Sequence, residues 1–221
     1  MTGLICMMML IAGAPRGEDS EYRMIADYTL YDNHYDYIDA EAPWFGLFET
    51  DSGYELRLVE LQLIPNPPPP EDWERPTGSK VEMLNETDNW LILISSSSTI
   101  LTEGPVSTAP LEYCRITPDT PVILTAPDLP EYRLFATEEG VFLSDDETCQ
   151  HITDTRPGGS HSNIYIAIVW AGDLDRDGII DLIIDDVSDS YNYYYYSLYL
   201  SSEAEPGSLV RLVASFYDVY Y

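Results

Sequence analysis

Asp173-Leu174-Asp175-Arg176-Asp177-Gly178-Ile179-Ile180-Asp181 places carboxylates at the first, third, fifth and ninth positions of a nine-residue run. In a tight turn, side chains at those positions converge on one hard cation, and the seventh residue, Ile179, offers its backbone carbonyl as a further oxygen. Gly178 falls where the chain must reverse, and a residue without Cβ takes up that backbone cheaply. Every donor in this set is oxygen, which favours Ca²⁺ over zinc or copper. The crowding of carboxylates favours Ca²⁺ over Mg²⁺. Two plainer readings stand beside this one: an exposed acidic turn that binds nothing, and a calcium held purely as a structural staple. The staple is the favoured reading.

The flanking residues decide the kind of loop. A helix-loop-helix calcium hand needs a bidentate Glu at its twelfth position, and here that position is Ile184. Before the loop runs Ile164-Tyr-Ile-Ala-Ile-Val-Trp170, and after it Ile179-Ile-Asp-Leu-Ile-Ile184. Runs that are β-branched and aromatic at successive positions read as strands covered on both faces. The expectation is therefore strand, calcium loop, strand.

The run Trp170-Ala-Gly-Asp-Leu-Asp-Arg-Asp-Gly-Ile-Ile-Asp-Leu182 resembles the Gly-Asp-x-Asp-x-Asp-Gly-x-x-Asp-hydrophobic signature of FG-GAP/VCBS-type repeats. These are β-structured calcium modules of integrin-like propellers and of many secreted bacterial proteins. The resemblance implies Asp173, Asp175, Asp177 and Asp181 as side-chain ligands of Ca²⁺ and Ile179 as a carbonyl ligand. The segments Ser190–Ser202 and Pro206–Phe216 are also similar to the C-terminal part of secreted bacterial proteins with one such loop, so the likeness covers about the last quarter of the chain. A propeller needs several blades. The loop occurs here in a single copy.

A chain of 221 residues suffices for one sizeable domain or two small ones sharing an interface. Its formal net charge is -29, and Lys80 is its one lysine. Such a chain is repelled by phosphate backbones, which excludes nucleic acid as a partner, and anionic membrane surfaces are disfavoured for the same reason. The charge also works against the compact state, and bound cations or salt relieve it. A salty environment and an ordinary solvated secreted surface both fit this composition.

Leu4-Ile-Cys-Met-Met-Met-Leu-Ile11 followed by Ala12-Gly-Ala14 has the apolar run and small-x-small site of a secretory leader, although no Lys or Arg precedes it. Residues 1–14 are thus read as a signal peptide, too short to cross a bilayer, and the protein as secreted, periplasmic or at the cell surface. No other segment is apolar enough for a transmembrane span. In an oxidising compartment Cys114 and Cys149 are candidates for one disulfide, the alternative being two unrelated thiols. His34, His151 and His161 lie in polar or glycine-rich surroundings and read as loop residues.

The remaining organisation is all-β: antiparallel sheets, sandwich- or barrel-like, with the calcium hairpin near the C-terminus. Residues 15–40 are an acidic, tyrosine-rich arm, residues 41–152 an N-terminal β unit, and residues 160–221 the calcium-loop unit, either separate or continuous with 41–152. Strands are expected at Trp44–Phe48, at Tyr54–Leu63 with a bulge, and at Lys80–Leu84, Trp90–Ser95, Pro121–Thr125, Tyr132–Ala136 and Val141–Ser144. Asn85-Glu-Thr87 is a glycosylation triplet. The tyrosines from Tyr191 to Tyr199 form either a half-buried strand or an aromatic platform for a carbohydrate or protein ligand.

No Gly-x-Ser-x-Gly elbow, phosphate-cradling glycine loop or His-Glu-x-x-His motif occurs. The function expected is a secreted calcium-binding β protein in which the ion stabilises an interaction or binding module. The rivals are an extracellular hydrolase with a structural calcium and a structural envelope or matrix component.

Overall fold

Short apolar runs broken every ten or so residues by proline and glycine cannot build long helices, and they fold here as strands. A computed structural model describes residues 21–26, 29–31, 38–65, 78–86, 89–98, 100–111, 114–118, 120–153, 165–187 and 193–219. Over these residues the protein is all-β, every strand pairing is antiparallel, and there is no helix.

The main sheet has ten strands. Along its path they run β1 (Tyr22–Ile25), β7 (Trp90–Ser96), β3 (Trp44–Thr50), β4 (Gly53–Val59), β8 (Gly104–Thr108), β14 (Tyr165–Asp173), β15 (Asp181–Val187), β16 (Tyr193–Leu200) and β17 (Arg211–Val219), while β9 (Cys114–Ile116) pairs beside β8 on β14. The two ends of this path, β1 and β17, lie next to each other, so the sheet is a nearly closed barrel. Across the seam the Tyr22 hydroxyl donates to Glu203 Oε1 at 2.8 Å. Two smaller sheets complete the fold. One is the meander β10 (Val122–Leu124), β11 (Tyr132–Thr137), β12 (Gly140–Ser144) and β13 (Cys149–Thr153); the other is β2 (Thr29–Tyr31), β6 (Gly78–Met83) and β5 (Leu61–Pro65).

Two apolar clusters follow from this arrangement. The first joins Trp44, Leu47, Phe48, Leu56, Ile92 and Ile94 to Trp170, Ile183, Leu198 and Leu200. The second packs Leu124, Leu134, Val141 and Leu143 of the meander against Ile166, Ile168, Leu182, Ile184 and Tyr199. Strands β14 and β15 therefore bury both faces, as the apolar runs flanking the loop predict, and Leu198 and Tyr199 of β16 enter opposite clusters. Alternation along β14 changes step at a bulge between Ile168 and Trp170, which turns Trp170 to the first cluster and Ala171 to the second. The Gln150 side chain ties the two layers as a strand edge would. Its Oε1 accepts from the Leu209 and Val210 amides at 2.6 and 3.0 Å, and its Nε2 donates to the Val210 carbonyl at 2.7 Å.

Three expectations change. The segment 54–63 is two strands, not one bulged strand: β4 ends at Val59, and β5 starts at Leu61 in a different sheet. The shift in apolar parity marks this exchange, with Glu60 held by its amide to Asn85 Oδ1 at 2.9 Å and by its carbonyl to the Leu84 amide at 2.8 Å. Residues 22–25, inside the segment read as an acidic arm, form β1 and bury Tyr22, Met24 and Ile25, so burial on the β7 edge outweighs the surrounding charge. No disulfide joins Cys114 and Cys149: the first sits on β9 against β14, the second on β13 of the meander. Because β8 and β9 both pair with β14, the 41–152 and 160–221 units share one sheet. Residues 1–14, Tyr191 and the histidines His34 and His161 lie outside the described residues.

Candidate metal centre

The aspartate loop spans residues 174–180 between β14 and β15, whose register brings Gly172 opposite Asp181. Strand β8 fixes the end of β14, with Thr108 beside Gly172 and Ser107 beside Asp173. That approach needs glycine, since a Cβ at position 172 would sit 2.3 Å from the Ser107 carbonyl oxygen. Leu174 and Ile180 are fully buried, one in each apolar cluster, and they pin the two feet of the loop. Between them the backbone turns through two left-handed residues, Arg176 (φ 65°) and Gly178 (φ 84°). Arg176 tolerates this conformation while its guanidinium donates to Thr102 Oγ1 at 2.6 Å, strapping the loop to the β7–β8 connection.

Short aspartates fold back on the backbone they belong to. The Gly178 amide donates to Asp173 Oδ2 at 3.0 Å, the Asp177 amide to Asp175 Oδ1 at 3.3 Å, and the Ile179 amide to Asp177 Oδ1 at 2.8 Å. These bonds curl the loop so that one carboxylate oxygen each from Asp173, Asp175 and Asp177 lies within 4.8 Å of the others. Asp173 is 8% exposed, Asp175 half-buried and Asp177 exposed. Asp173 Oδ1 is buried and accepts no hydrogen bond from the described residues. Burial pushes the Asp173 carboxyl above the ordinary range, with the Gly178 amide working against it and the Asp177 charge adding to it. Asp175 is raised by burial and by Asp177 and Asp173, partly offset by Ser202 and the Asp177 amide. Among the described residues no Lys or Arg makes an ion pair with this group.

Asp181 stands apart from that trio. Fully buried, it accepts from the Leu174 amide through Oδ2 at 2.7 Å, and from the Ser201 amide and hydroxyl through Oδ1 at 2.7 and 2.8 Å. It thereby ties the start of the loop to the end of β16. Burial raises its carboxyl well above the usual range and the Asp175 charge raises it further, against the Ser201 and Leu174 donors. Ile179, the carbonyl candidate, is in the same loop and is 38% exposed.

Sequence reasoning missed two residues. Ser201 Oγ lies 3.0 Å from both carboxylate oxygens of Asp177, and Ser202 Oγ bonds Asp175 Oδ2. Both belong to the turn between β16 and β17. The signal that locates them is the β15–β16 register, Leu182 opposite Tyr199, which brings the residues after Leu200 to the loop.

Comparisons with family models, with curated proteins and with solved structures found no match to this chain. The centre is therefore read on its own donors. Three converging carboxylates, one of them carrying a buried oxygen in need of a partner, can hold a metal ion. An all-oxygen donor set suits hard cations and not thiophilic ones.

Proposed function

We propose that this loop binds Ca²⁺ and that the ion staples the C-terminal strands of a secreted β module whose work is binding or interaction. The observation carrying the proposal is Asp173: among the described residues its Oδ1 is buried without a partner, beside two further carboxylates that converge with it. Buried polar atoms in native folds are nearly always partnered, so an orphaned carboxylate oxygen calls for an explanation, and a bound ion supplies one. The Asp-x-Asp-x-Asp-Gly spacing between two paired strands supports assignment to the FG-GAP/VCBS type of calcium loop.

In this reading Asp173, Asp175 and Asp177 are side-chain ligands and Ile179 supplies a carbonyl, while Asp181, whose two oxygens accept from Leu174 and Ser201, braces the loop beside them. When bound, the ion would supply positive charge to carboxylates that, among the described residues, no Lys or Arg pairs with. Leu174 and Ile180 hold the loop feet, Gly178 and Arg176 set the reversal, and Asp181 keeps the Leu174 and Ser201 amides in register. The leader-like residues 1–14 and the net charge of -29 support an extracellular setting, where millimolar calcium keeps even a modest site filled.

A thermal melt in calcium, in chelator, and in sodium chloride of matched ionic strength tests this. At a hundredfold excess over its dissociation constant, calcium stabilises the fold by about 2.7 kcal/mol. If sodium chloride reproduces the whole rise in midpoint, charge screening explains it and the calcium reading is overturned.

A further inference from the structure

The seam of the barrel and the aspartate loop are far apart in sequence, yet one short turn touches both. Ser201, Ser202 and Glu203 follow one another between β16 and β17. Ser201 meets Asp177 and Asp181, Ser202 meets Asp175, and Glu203 accepts from Tyr22 of β1.

The hydroxyl geometry says more than a tally of bonds. Ser201 Oγ sits 2.8–3.0 Å from three carboxylate oxygens, but a hydroxyl carries one proton. That proton can be shared between the two Asp177 oxygens or given to Asp181 Oδ1, so two carboxylates compete for one donor. Oxygens crowd in this way when they share a cation, or when they hold ligands in place around one. The partnerless Asp173 Oδ1, on a residue more than nine-tenths buried, points independently to the same ligand.

We infer that the β16–β17 turn is a working part of the calcium centre: Ser201 and Ser202 position Asp177, Asp181 and Asp175, and ion binding on one hairpin is thereby coupled to the seam that Tyr22 and Glu203 close. The inference rests on the calcium reading above. It assigns Ser201 and Ser202 as positioning residues, and it makes Tyr22 sensitive to an ion it does not touch. Binding free energies are reciprocal, so a closed seam must also favour the ion.

The test is calorimetric titration of the full chain with calcium chloride, together with hydrogen exchange at the β1 amides in calcium and in chelator. Ser201→Ala is expected to weaken the dissociation constant about tenfold, the lower end of what loss of a ligand-orienting partner does. Ser202 is exposed, so Ser202→Ala disturbs no packing; it should weaken binding too, while Ser202→Thr, which keeps the hydroxyl, restores it. Tyr22→Phe should weaken calcium about threefold through linkage alone. In the wild type, calcium should slow β1 exchange about tenfold. Wild-type dissociation constants in all three deletions, or β1 exchange indifferent to calcium, overturn the coupling while leaving the loop reading intact. A wild-type chain that takes up no calcium overturns both.

Discussion

Replacing Asp173 by Asn gives a sharp test because its effect must change sign with calcium. The amide has nearly the volume of the carboxylate, and its oxygen can still accept from the Gly178 amide. What disappears is a buried charge whose Oδ1 has no partner among the described residues and whose neighbour Asp177 repels it. Leaving such a group unsatisfied costs about 1–3 kcal/mol. Removing the charge but not the polar atom should recover about half of that, or about 0.5–1.5 kcal/mol. A chain of 221 residues shifts its midpoint by about 2–4 °C per kcal/mol. In chelator, Asp173→Asn should therefore melt about 1–6 °C above the wild type. In calcium the order reverses, because the variant forfeits most of the about 2.7 kcal/mol that the ion gives the wild type at a hundredfold excess. Paired melts by circular dichroism in the two buffers read both arms. A variant that melts lower than the wild type by the same amount in both would show that this carboxylate is an ordinary loop hydrogen-bond acceptor, and the argument from its unpartnered oxygen would fail.

Other outcomes follow from the fold. Burial, then Glu203, raises the Tyr22 hydroxyl above its ordinary value of 10.0, so its contribution to stability is complete below that pH and is lost as pH rises through the folded value. Tyr22→Phe should cost about 1 kcal/mol at neutral pH for the lost hydrogen bond, yet flatten the alkaline decline in melts run from neutral pH to above 10. Gln150→Leu strands the Leu209 and Val210 amides and should cost about 2–3 kcal/mol by urea denaturation; a loss within error would mean that those amides find other partners. Gly178→Ala meets no neighbour but must hold φ at 84°, which should cost about 1 kcal/mol whether or not calcium is present. Alkylation of denatured, unreduced protein should label both Cys114 and Cys149 by mass spectrometry; an unlabelled pair would reinstate the disulfide.

The aspartate loop was legible in the sequence because its chemistry is local: five residues within nine carry spacing, sign and turn. The two-faced burial of β14 and β15 was legible for a similar reason, since no polar residue interrupts either face of Ile166–Trp170. What escaped depends on pairing. Ser201 and Ser202 reach the loop only through the register of β16 on β15, and nothing near them in the chain names Asp175 or Asp177 as partners. The exchange of sheets at Glu60 left a trace in apolar parity, but a bulge leaves the same trace, and only the Asn85 and Leu84 bonds separate the two. Strand β1 was hidden because four residues carry too short a pattern to stand out against acidic surroundings.

A nearly closed barrel also has a consequence for how this chain meets copies of itself. An open sheet of this length would present two rows of unsatisfied amides and carbonyls, each a template for a neighbouring chain. Here β1 and β17 face each other, so each edge occupies the approach that another molecule would use. Any condition that parts β1 from β17 uncovers both rows at once, on the same molecule and side by side. Loss of the seam would therefore expose the chain to strand-to-strand aggregation, and the packing of β1 on β17, with the Tyr22–Glu203 bond as one part of it, guards against that.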